Sequence, residues 1–263
     1  MSRWSAERLR IGLAPHRVDV ARLGMLRGAT PARAQSAACA PRAGEPAWQA
    51  ALEALEAPLA AVARRRQAAA VVLSNHFLRY AVLPWQAELT RPVEVEQLAR
   101  ARFEQVYGAA AAQWTVRAGD GRWGEAHVAC AVDGALVAGL RERLDAHGVR
   151  LASLQPLLMA AYNEVRRRLD ARCAFAVVEF GRVCLGLVDG GRWRDISSRR
   201  TAAHAAEAIE QDLATLCSGD APPLHVVLVG DEGAWWAGAE SRAAACGGAP
   251  PLATRSLALW GAS

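Results

Sequence analysis

The sequence contains no lysine, so all 31 of its basic residues are arginine. This absence excludes a Walker-type phosphate-binding lysine, a Schiff-base lysine and a lysine general base. The net charge is nevertheless +5 at pH 7, and arginine suits both phosphate groups and protein interfaces. Arginine clusters such as Arg166–Arg168 have few interleaved aromatic residues, so we expect no nucleic acid partner.

Long apolar segments and metal-ligand spacings are also missing. No uninterrupted apolar run approaches the roughly 18–20 residues that a membrane-spanning helix needs. The first residues, from Met1 to Arg8, lack the apolar core of a signal peptide. The six cysteines stand singly, and the six histidines form no HxH or HxxxH pair. We therefore expect a cytoplasmic protein with reduced cysteines and without a metal site.

The chain is long and apolar enough for a sizeable core, since 52% of its 263 residues are hydrophobic. Alternating apolar residues at 8–13 and 17–23 predict an opening β-hairpin. Residues 28–46 are rich in Ala, Pro, Gly and Ser, which predicts a loop. Apolar runs at 69–74 and 77–83 predict a second hairpin.

Helical periodicity and further apolar runs fill the rest of the chain. Apolar residues three and four apart predict helices at about 46–66, 92–107, 134–147, 156–170, 202–217 and 235–245. Short apolar runs predict strands at about 113–118, 125–132, 149–154, 173–180, 183–188, 192–196, 224–229 and 257–260. A hairpin followed by a helix is therefore expected in both halves of the chain.

Three short glycine-containing segments stand at the ends of predicted strands. They are Leu9–Ala14, which contains Gly12, then Glu179-Phe180-Gly181, and then Gly230-Asp231-Glu232-Gly233. The order of elements and these segments resemble the actin-like assembly proteins of type IV pilus and type II secretion systems, namely PilM and the cytoplasmic domain of GspL. The resemblance covers about residues 8–260 and rests on element order and three local matches.

The resemblance implies an α/β protein with the actin-like ATPase fold. In that fold two ribonuclease-H-like lobes have mixed sheets flanked by helices. The lobes would be residues 1–155, with an inserted subdomain at about 85–132, and residues 156–263. The resemblance also implies an ATP and Mg²⁺ site, whose candidate cofactor-binding residues are Gly12, Glu179, Gly181, Gly230 and Asp231.

The three segments depart from the family pattern at chemically important positions. Arg10 stands where the family has an acidic residue, Arg182 and Val183 replace small hydroxyl residues, and Glu232 interrupts the third segment. Phosphate loops need small residues so that backbone N–H groups can approach the oxygens, and acidic residues hold Mg²⁺. We therefore assign no catalytic residue. We expect Arg182 on the surface of a hairpin turn, with a phosphate contact as the alternative.

Tryptophan is frequent, with nine residues against four Phe and three Tyr. Trp85 follows the end of a predicted strand, and Trp235 and Trp236 follow the glycine-rich turn. Tryptophan is enriched at interaction hot spots. These three are therefore candidate partner-binding residues, with packing in the core or at a sheet edge as the alternative.

The sequence thus predicts a scaffold or adaptor of a pilus or secretion assembly platform, peripheral to the inner membrane. The resemblance implies two partners, the cytoplasmic tail of a membrane protein and an assembly ATPase. A homodimer stays open. The alternative hypothesis is an active ATP-binding enzyme or switch of the actin and sugar-kinase group.

Overall fold

The computed structural model describes residues 8–23, 33–119, 121, 123–201, 205–216, 222–229 and 254–255. The chain divides into two structural units. The first takes in residues 1–77, 134–164 and 255–263, and the second takes in residues 78–133 and 165–254. The predicted lobes, 1–155 and 156–263, stay a prediction. The predicted helix at 235–245 and the predicted strand at 257–260 lie outside the described residues.

Strands and helices alternate along the described chain. The strands are β1 (Arg8–Ala14), β2 (Arg17–Leu23), β3 (Arg33–Ala38), β4 (Gln67–Leu73), β5 (Leu78–Leu83), β6 (Trp114–Ala118), β7 (His127–Asp133), β8 (Val149–Pro156), β9 (Arg172–Glu179), β10 (Arg182–Asp189), β11 (Arg192–Arg200), β12 (Leu224–Val229) and β13 (Thr254–Arg255). The helices are α1 (Gln49–Ala54), α2 (Glu56–Val62), α3 (Pro92–Tyr107), α4 (Gly134–Ala146), α5 (Leu157–Val165) and α6 (Ala205–Leu216). Among the described residues, no helix combines the length and apolar content that crossing a bilayer requires.

In the first unit, five strands form one mixed sheet in the order β3-β2-β1-β4-β8. β2 runs antiparallel to β1 and β3, whereas β1, β4 and β8 run parallel to one another. The alternate residues Leu9, Ile11 and Leu13 of the central strand are fully buried. Helices α1 and α2 pack against this sheet through leucines such as Leu52 and Leu59, which are also buried. The apolar alternation of β1 therefore places the core on one face of the sheet.

In the second unit, the large sheet has the order β11-β10-β9-β12-β13. β10 runs antiparallel to β9 and β11, and β12 runs parallel to β9. Helix α6 packs on one face, where Ile209 lies against Val183 and Leu185. Each unit therefore contains a three-stranded antiparallel meander with a parallel strand added beside its first strand. This repetition confirms the predicted duplication of the hairpin-and-helix pattern.

A smaller antiparallel sheet, in the order β5-β7-β6, also belongs to the second unit. Helix α3 covers it with the buried residues Val95, Ala99 and Phe103. The helix begins at Pro92 and is followed by Gly108, whose φ is +67°. Both ends follow the predicted bounds, because proline suits the first turn of a helix and glycine suits its C-terminal end.

Three predictions about the first third of the chain are wrong. Residues 33–38 form strand β3 within the predicted loop at 28–46, and their side chains are mostly exposed, so no apolar pattern marks them. The strands at 69–74 and 77–83 do not pair as a hairpin, because β4 joins the sheet of the first unit and β5 pairs with β7 in the second. The helix predicted at 46–66 is divided into α1 and α2 and ends at Val62.

Candidate functional site

Gly12 lies within strand β1 of the first hairpin. Its position pairs with Asp19 of β2 on one side and with Val72 of β4 on the other. The turn that joins β1 to β2 is formed by Pro15 and His16. Proline has no backbone N–H group, so this turn has one donor fewer to offer to phosphate oxygens.

An acidic residue that the sequence prediction missed, Asp19, lies opposite Gly12. Asp19 is buried, and its carboxylate accepts hydrogen bonds from Arg17 Nε at 2.8 Å and from the hydroxyl of Ser36. Arg10, which stands at the expected acidic position, is buried as well. The alternation of charged and apolar residues in β2 is the signal that could have found Asp19. The ion pair with Arg17 and the hydrogen bond from Ser36 give Asp19 a structural role within the sheet.

The second hairpin turns at Phe180 and Gly181. Gly181 has a φ of +72°, a conformation that glycine adopts without strain. Glu179 ends β9 and pairs directly with Arg182, which begins β10. Each exposes only 5% of its surface. The prediction that Arg182 lies on the surface of the turn is wrong, because the turn ends at Gly181 and the register places Arg182 within the strand.

The guanidinium group of Arg182 is held within the second unit. Its Nη1 donates a hydrogen bond to the hydroxyl of Ser198 on β11 at 2.8 Å. Burial lowers the pKa of Arg182, the nearby Arg79 lowers it further, and Glu179 acts in the opposite direction. Arginine remains charged in proteins despite such shifts. The second hairpin therefore contains a fixed, buried cation where the family pattern has a small hydroxyl residue.

The residues at the two hairpins do not fit a Mg²⁺–ATP complex. A phosphate loop presents consecutive N–H groups beside small side chains. The first turn instead contains Pro15, and the second consists of an exposed Phe180 and Gly181, after which the buried Arg182 begins the next strand. Mg²⁺ needs accessible carboxylate oxygens, whereas the Asp19 carboxylate is buried and its Oδ1 accepts hydrogen bonds from Arg17 and Ser36. In the part of the chain that the structure describes, no three His, Cys, Asp or Glu side chains cluster to hold a metal ion.

The cofactor-binding assignment stays a prediction. It concerns Gly12, Glu179, Gly181, Gly230 and Asp231, of which Gly230 and Asp231 lie outside the described residues. The same is true of the candidate partner-binding residues Trp235 and Trp236. Trp85 is therefore the candidate partner-binding tryptophan whose surroundings can be described.

Trp85 lies in the connection between β5 and α3 and packs edge-on against Trp123. The two ring centroids are 5.0 Å apart, and the ring planes meet at 69°. Trp123 exposes 76% of its surface. The pair borders a cavity of about 190 Å³ whose lining includes Leu89, Pro92 and His127. A concave surface with exposed aromatic residues and a few polar groups is typical of binding sites. Trp123 was not predicted, although its place in a glycine-rich stretch of the sequence marks it as exposed.

No known family profile matches the chain, and no curated protein is similar to it in sequence. Similarity is found instead among solved structures, at low sequence identity. A chain of the PilM–PilN type IV pilus biogenesis complex is 16% identical, with a TM-score of 0.66 over 91% of this chain and 85% of that one.

Two further solved structures agree with the first. The cytoplasmic domain of EpsL, an inner membrane component of the type II secretion system of Vibrio cholerae, is 12% identical, with a TM-score of 0.58 over 86% of this chain and 84% of that one. A Bacteroides thetaiotaomicron protein of unknown function with an actin-like ATPase fold is 11% identical, with a TM-score of 0.59 over 92% and 90%. The predicted resemblance is confirmed at the level of fold: the chain is an α/β protein with the actin-like ATPase fold.

Proposed function

We propose that this chain is a scaffold or adaptor of a type IV pilus or type II secretion-like assembly platform, on the cytoplasmic side of the inner membrane. The observation that carries the proposal is the fold similarity to a chain of the PilM–PilN complex over 91% of the sequence. The likeness to the cytoplasmic domain of EpsL supports the same function. Both of these relatives in fold are parts of assembly machines.

The chemistry of the two hairpins supports a scaffold over a nucleotide enzyme. Pro15 lacks a backbone N–H group, and Arg182 stands where a nucleotide phosphate loop needs a small side chain. Both residues thus disfavour backbone contacts with nucleotide phosphates, and neither interrupts the strands on either side. A scaffold needs the frame of the fold and its surfaces, and tolerates such changes. An ATPase needs electrostatic stabilisation of the transferred phosphoryl group, usually with Mg²⁺.

We propose that the partner is a short cytoplasmic tail of a PilN-like membrane protein, and that it binds at the cavity beside Trp85 and Trp123. Such a tail would bring the chain to the membrane. Contact with an assembly ATPase is a further part of the proposal, and a homodimer remains an alternative arrangement. Exposed tryptophans are frequent energetic centres of protein interfaces.

The proposal is tested by titrating the full chain into a fluorescent peptide that copies the cytoplasmic tail of the PilN-like protein from the same genome. We expect saturable binding, measured by fluorescence anisotropy. Trp85→Ala and Trp123→Ala should each weaken it about tenfold or more, since a hot-spot residue contributes about 2 kcal/mol.

Phe180→Ala is the matched control, because Phe180 is also an exposed aromatic residue of the second unit but does not line the cavity beside Trp85. It should leave the affinity unchanged. Absence of binding, or an equal loss in the control, would contradict the proposed site.

The alternative, an ATP-binding enzyme or switch, keeps one supporting observation. Glu179 and Gly181 preserve an acidic-x-Gly pattern at a tight turn with positive φ. Calorimetry with Mg²⁺–ATP, and separately with Mg²⁺–tripolyphosphate, decides between the two. Micromolar binding of ATP that exceeds tripolyphosphate binding and disappears in Glu179→Gln would replace the scaffold with a nucleotide switch. We expect no preference for ATP.

A further inference from the structure

A second cavity, of about 320 Å³, lies within the second unit and is lined by three arginines. Its walls are formed by Arg79, Arg182 and Arg200 together with Tyr80, Tyr107, Ile196 and Ser198. No aspartate or glutamate is among these described lining residues. The cavity therefore has a strongly positive wall.

The strand register explains why two of the arginines lie together. Arg182 of β10 pairs directly with Arg200 of β11 on one side and with Glu179 of β9 on the other. Residues that pair directly in antiparallel strands project from the same face of a sheet. The opposite face carries Val183, which packs with Ile209 of α6. One carboxylate and two guanidinium groups thus form a row on the face away from α6.

The third arginine, Arg79, comes from β5 of the smaller sheet. Its Nη1 donates a hydrogen bond to the carbonyl oxygen of Leu78 at 2.8 Å, and its guanidinium lies 5.8 Å from the centre of the Tyr107 ring. A cation over an aromatic face is attracted by the ring. These contacts hold the charge of Arg79 at the cavity, close enough to Arg182 to lower the pKa of that guanidinium.

Within the described part of the chain, the buried guanidinium group of Arg182 lacks a hydrogen-bond acceptor for one of its donors. Arg182 is 95% removed from solvent, and although its Nη1 donates to Ser198, its Nε has no hydrogen-bond partner among the residues that the structure describes. A buried donor on a charged group is costly when it is left without an acceptor. Neighbouring cations increase that cost. An anion in the cavity would accept from Nε and offset the repulsion between the three guanidinium groups.

We infer that this cavity binds a small, multiply charged oxyanion that carries phosphate groups. Guanidinium groups match phosphate oxygens with paired hydrogen bonds, and the hydroxyl of Ser198 is a further polar group in the wall. A cavity of about 320 Å³ is at the small end of ligand sites, which suits a pyrophosphate or a small phosphorylated metabolite. The site uses side chains on a sheet face and is independent of the proposed scaffold function.

The inference is tested by calorimetric titration of pyrophosphate into the full chain, with ionic strength held constant by sodium chloride. Citrate provides multiple carboxylates without phosphate. We expect saturable binding of pyrophosphate, tighter than that of citrate. Arg79→Gln and Arg200→Gln should each weaken it about tenfold or more, because each removes a charged hydrogen-bond donor.

Arg194→Gln is the matched control. Arg194 lies on the same strand as Arg200 but pairs with Asp189 and does not line the cavity. The control should leave the affinity within about twofold, because an exposed ion pair contributes little. Thermal unfolding followed by circular dichroism checks that each variant folds, and Arg79 and Arg200 are chosen because both are more exposed than Arg182.

Glu179→Gln separates this site from a nucleotide site. Removing the negative charge of Glu179 should tighten pyrophosphate binding, because one repulsive charge beside the arginines is lost. At a Mg²⁺–nucleotide site the same change would remove a carboxylate that holds the metal ion and would weaken binding. Three results would overturn the inference: no saturable binding at millimolar pyrophosphate, citrate binding as tightly as pyrophosphate, or an equal loss in the Arg194 variant. None of these measurements involves the tail peptide, so they leave the scaffold proposal to its own test.

Discussion

At the scale of single residues, burial decides what a titratable group can do. Arg182, Asp212 and Cys184 are almost entirely removed from water. The arginine stays charged and requires acceptors, whereas burial favours the neutral form of a thiol or a carboxyl group. The consequences can be measured one residue at a time.

The buried cysteines are expected to resist alkylation in the folded protein. Burial raises the pKa of the Cys173 thiol from 9.0 to about 11, and it raises the pKa of Cys184 as well. The thiolate is the reactive form, so both should react with iodoacetamide at pH 8 far more slowly than Cys39, which is only half-buried. Peptide mass spectrometry over a time course measures the order. The expectation would be contradicted if all three thiols of the native chain reacted at the same rate, and as fast as they do in urea.

Asp212 is expected to make stability depend on pH. Its carboxylate accepts a hydrogen bond from Ser197 at 2.8 Å and pairs with Arg199, yet burial raises its pKa above the ordinary value of 3.8. The folded chain therefore binds this proton more tightly than the unfolded chain. The resulting stabilisation is complete below the unfolded pKa and is lost as the pH rises through the folded pKa.

Urea unfolding of the wild-type chain and of Asp212→Asn, at a series of pH values from about 3 to 7, measures this contribution. We expect the wild type to lose stability relative to the variant as the pH rises. Parallel pH profiles, or a relative gain by the wild type, would show that Asp212 does not titrate as described.

The burial of two polar residues, Arg182 and Asp19, could not be predicted from the sequence. The position of Arg182 depends on where the turn ends, and Gly181 with positive φ ends it one residue earlier than the sequence suggested. The carboxylate of Asp19 accepts hydrogen bonds from Arg17 and from Ser36. Ser36 belongs to strand β3, which the sequence had predicted as a loop. Both outcomes follow from strand register, which a local pattern does not contain.

At the scale of elements, one close approach determines the packing of aromatic side chains on the large sheet of the second unit. A Cβ atom on Gly186 of β10 would lie 2.7 Å from Cε3 of Trp193, which is well inside contact distance. The Trp193 ring in turn packs edge-on against Phe175 of β9 at a centroid distance of 6.4 Å. The absence of a side chain at Gly186 therefore makes room for an aromatic pair on the sheet.

Gly186→Ala is expected to destabilise the chain by about 1–3 kcal/mol, because an added methyl group in a packed site forces neighbours to move. Chemical denaturation measures the change. Gly119→Ala is the control, since a Cβ atom there would meet Val128 O at an ordinary 3.6 Å. It should change the free energy of unfolding by less than about 0.5 kcal/mol. A similar loss in both variants would show that the Trp193 contact is not the cause.

Strong periodic patterns predicted elements well, and weak ones did not. Helix α3 has the predicted bounds because Pro92 and Gly108 mark its ends. Strand β3 was missed because its side chains are mostly exposed and it is held by backbone pairing with β2. The false hairpin of β4 and β5 arose because pairing partners distant in sequence cannot be seen from two neighbouring apolar runs.

At the scale of the whole molecule, the repeated strand order identifies the fold, while side chains define the function. The sheet order in each unit matched the duplication expected from the sequence. The three glycine-containing segments and their unusual residues were identified from the sequence, and their role in phosphate binding stays a prediction. The cavity lined by Arg79, Arg182 and Arg200 was not identified from the sequence, because β5 and β11 meet only through tertiary packing.

The central claim is that this actin-like frame binds an assembly partner and does so without nucleotide. The most direct measurement is a calorimetric titration of the PilN-like tail peptide into the full chain, with and without Mg²⁺–ATP. The account predicts saturable binding with the same affinity in both conditions. Binding that requires Mg²⁺–ATP, or no binding in either condition, would contradict it.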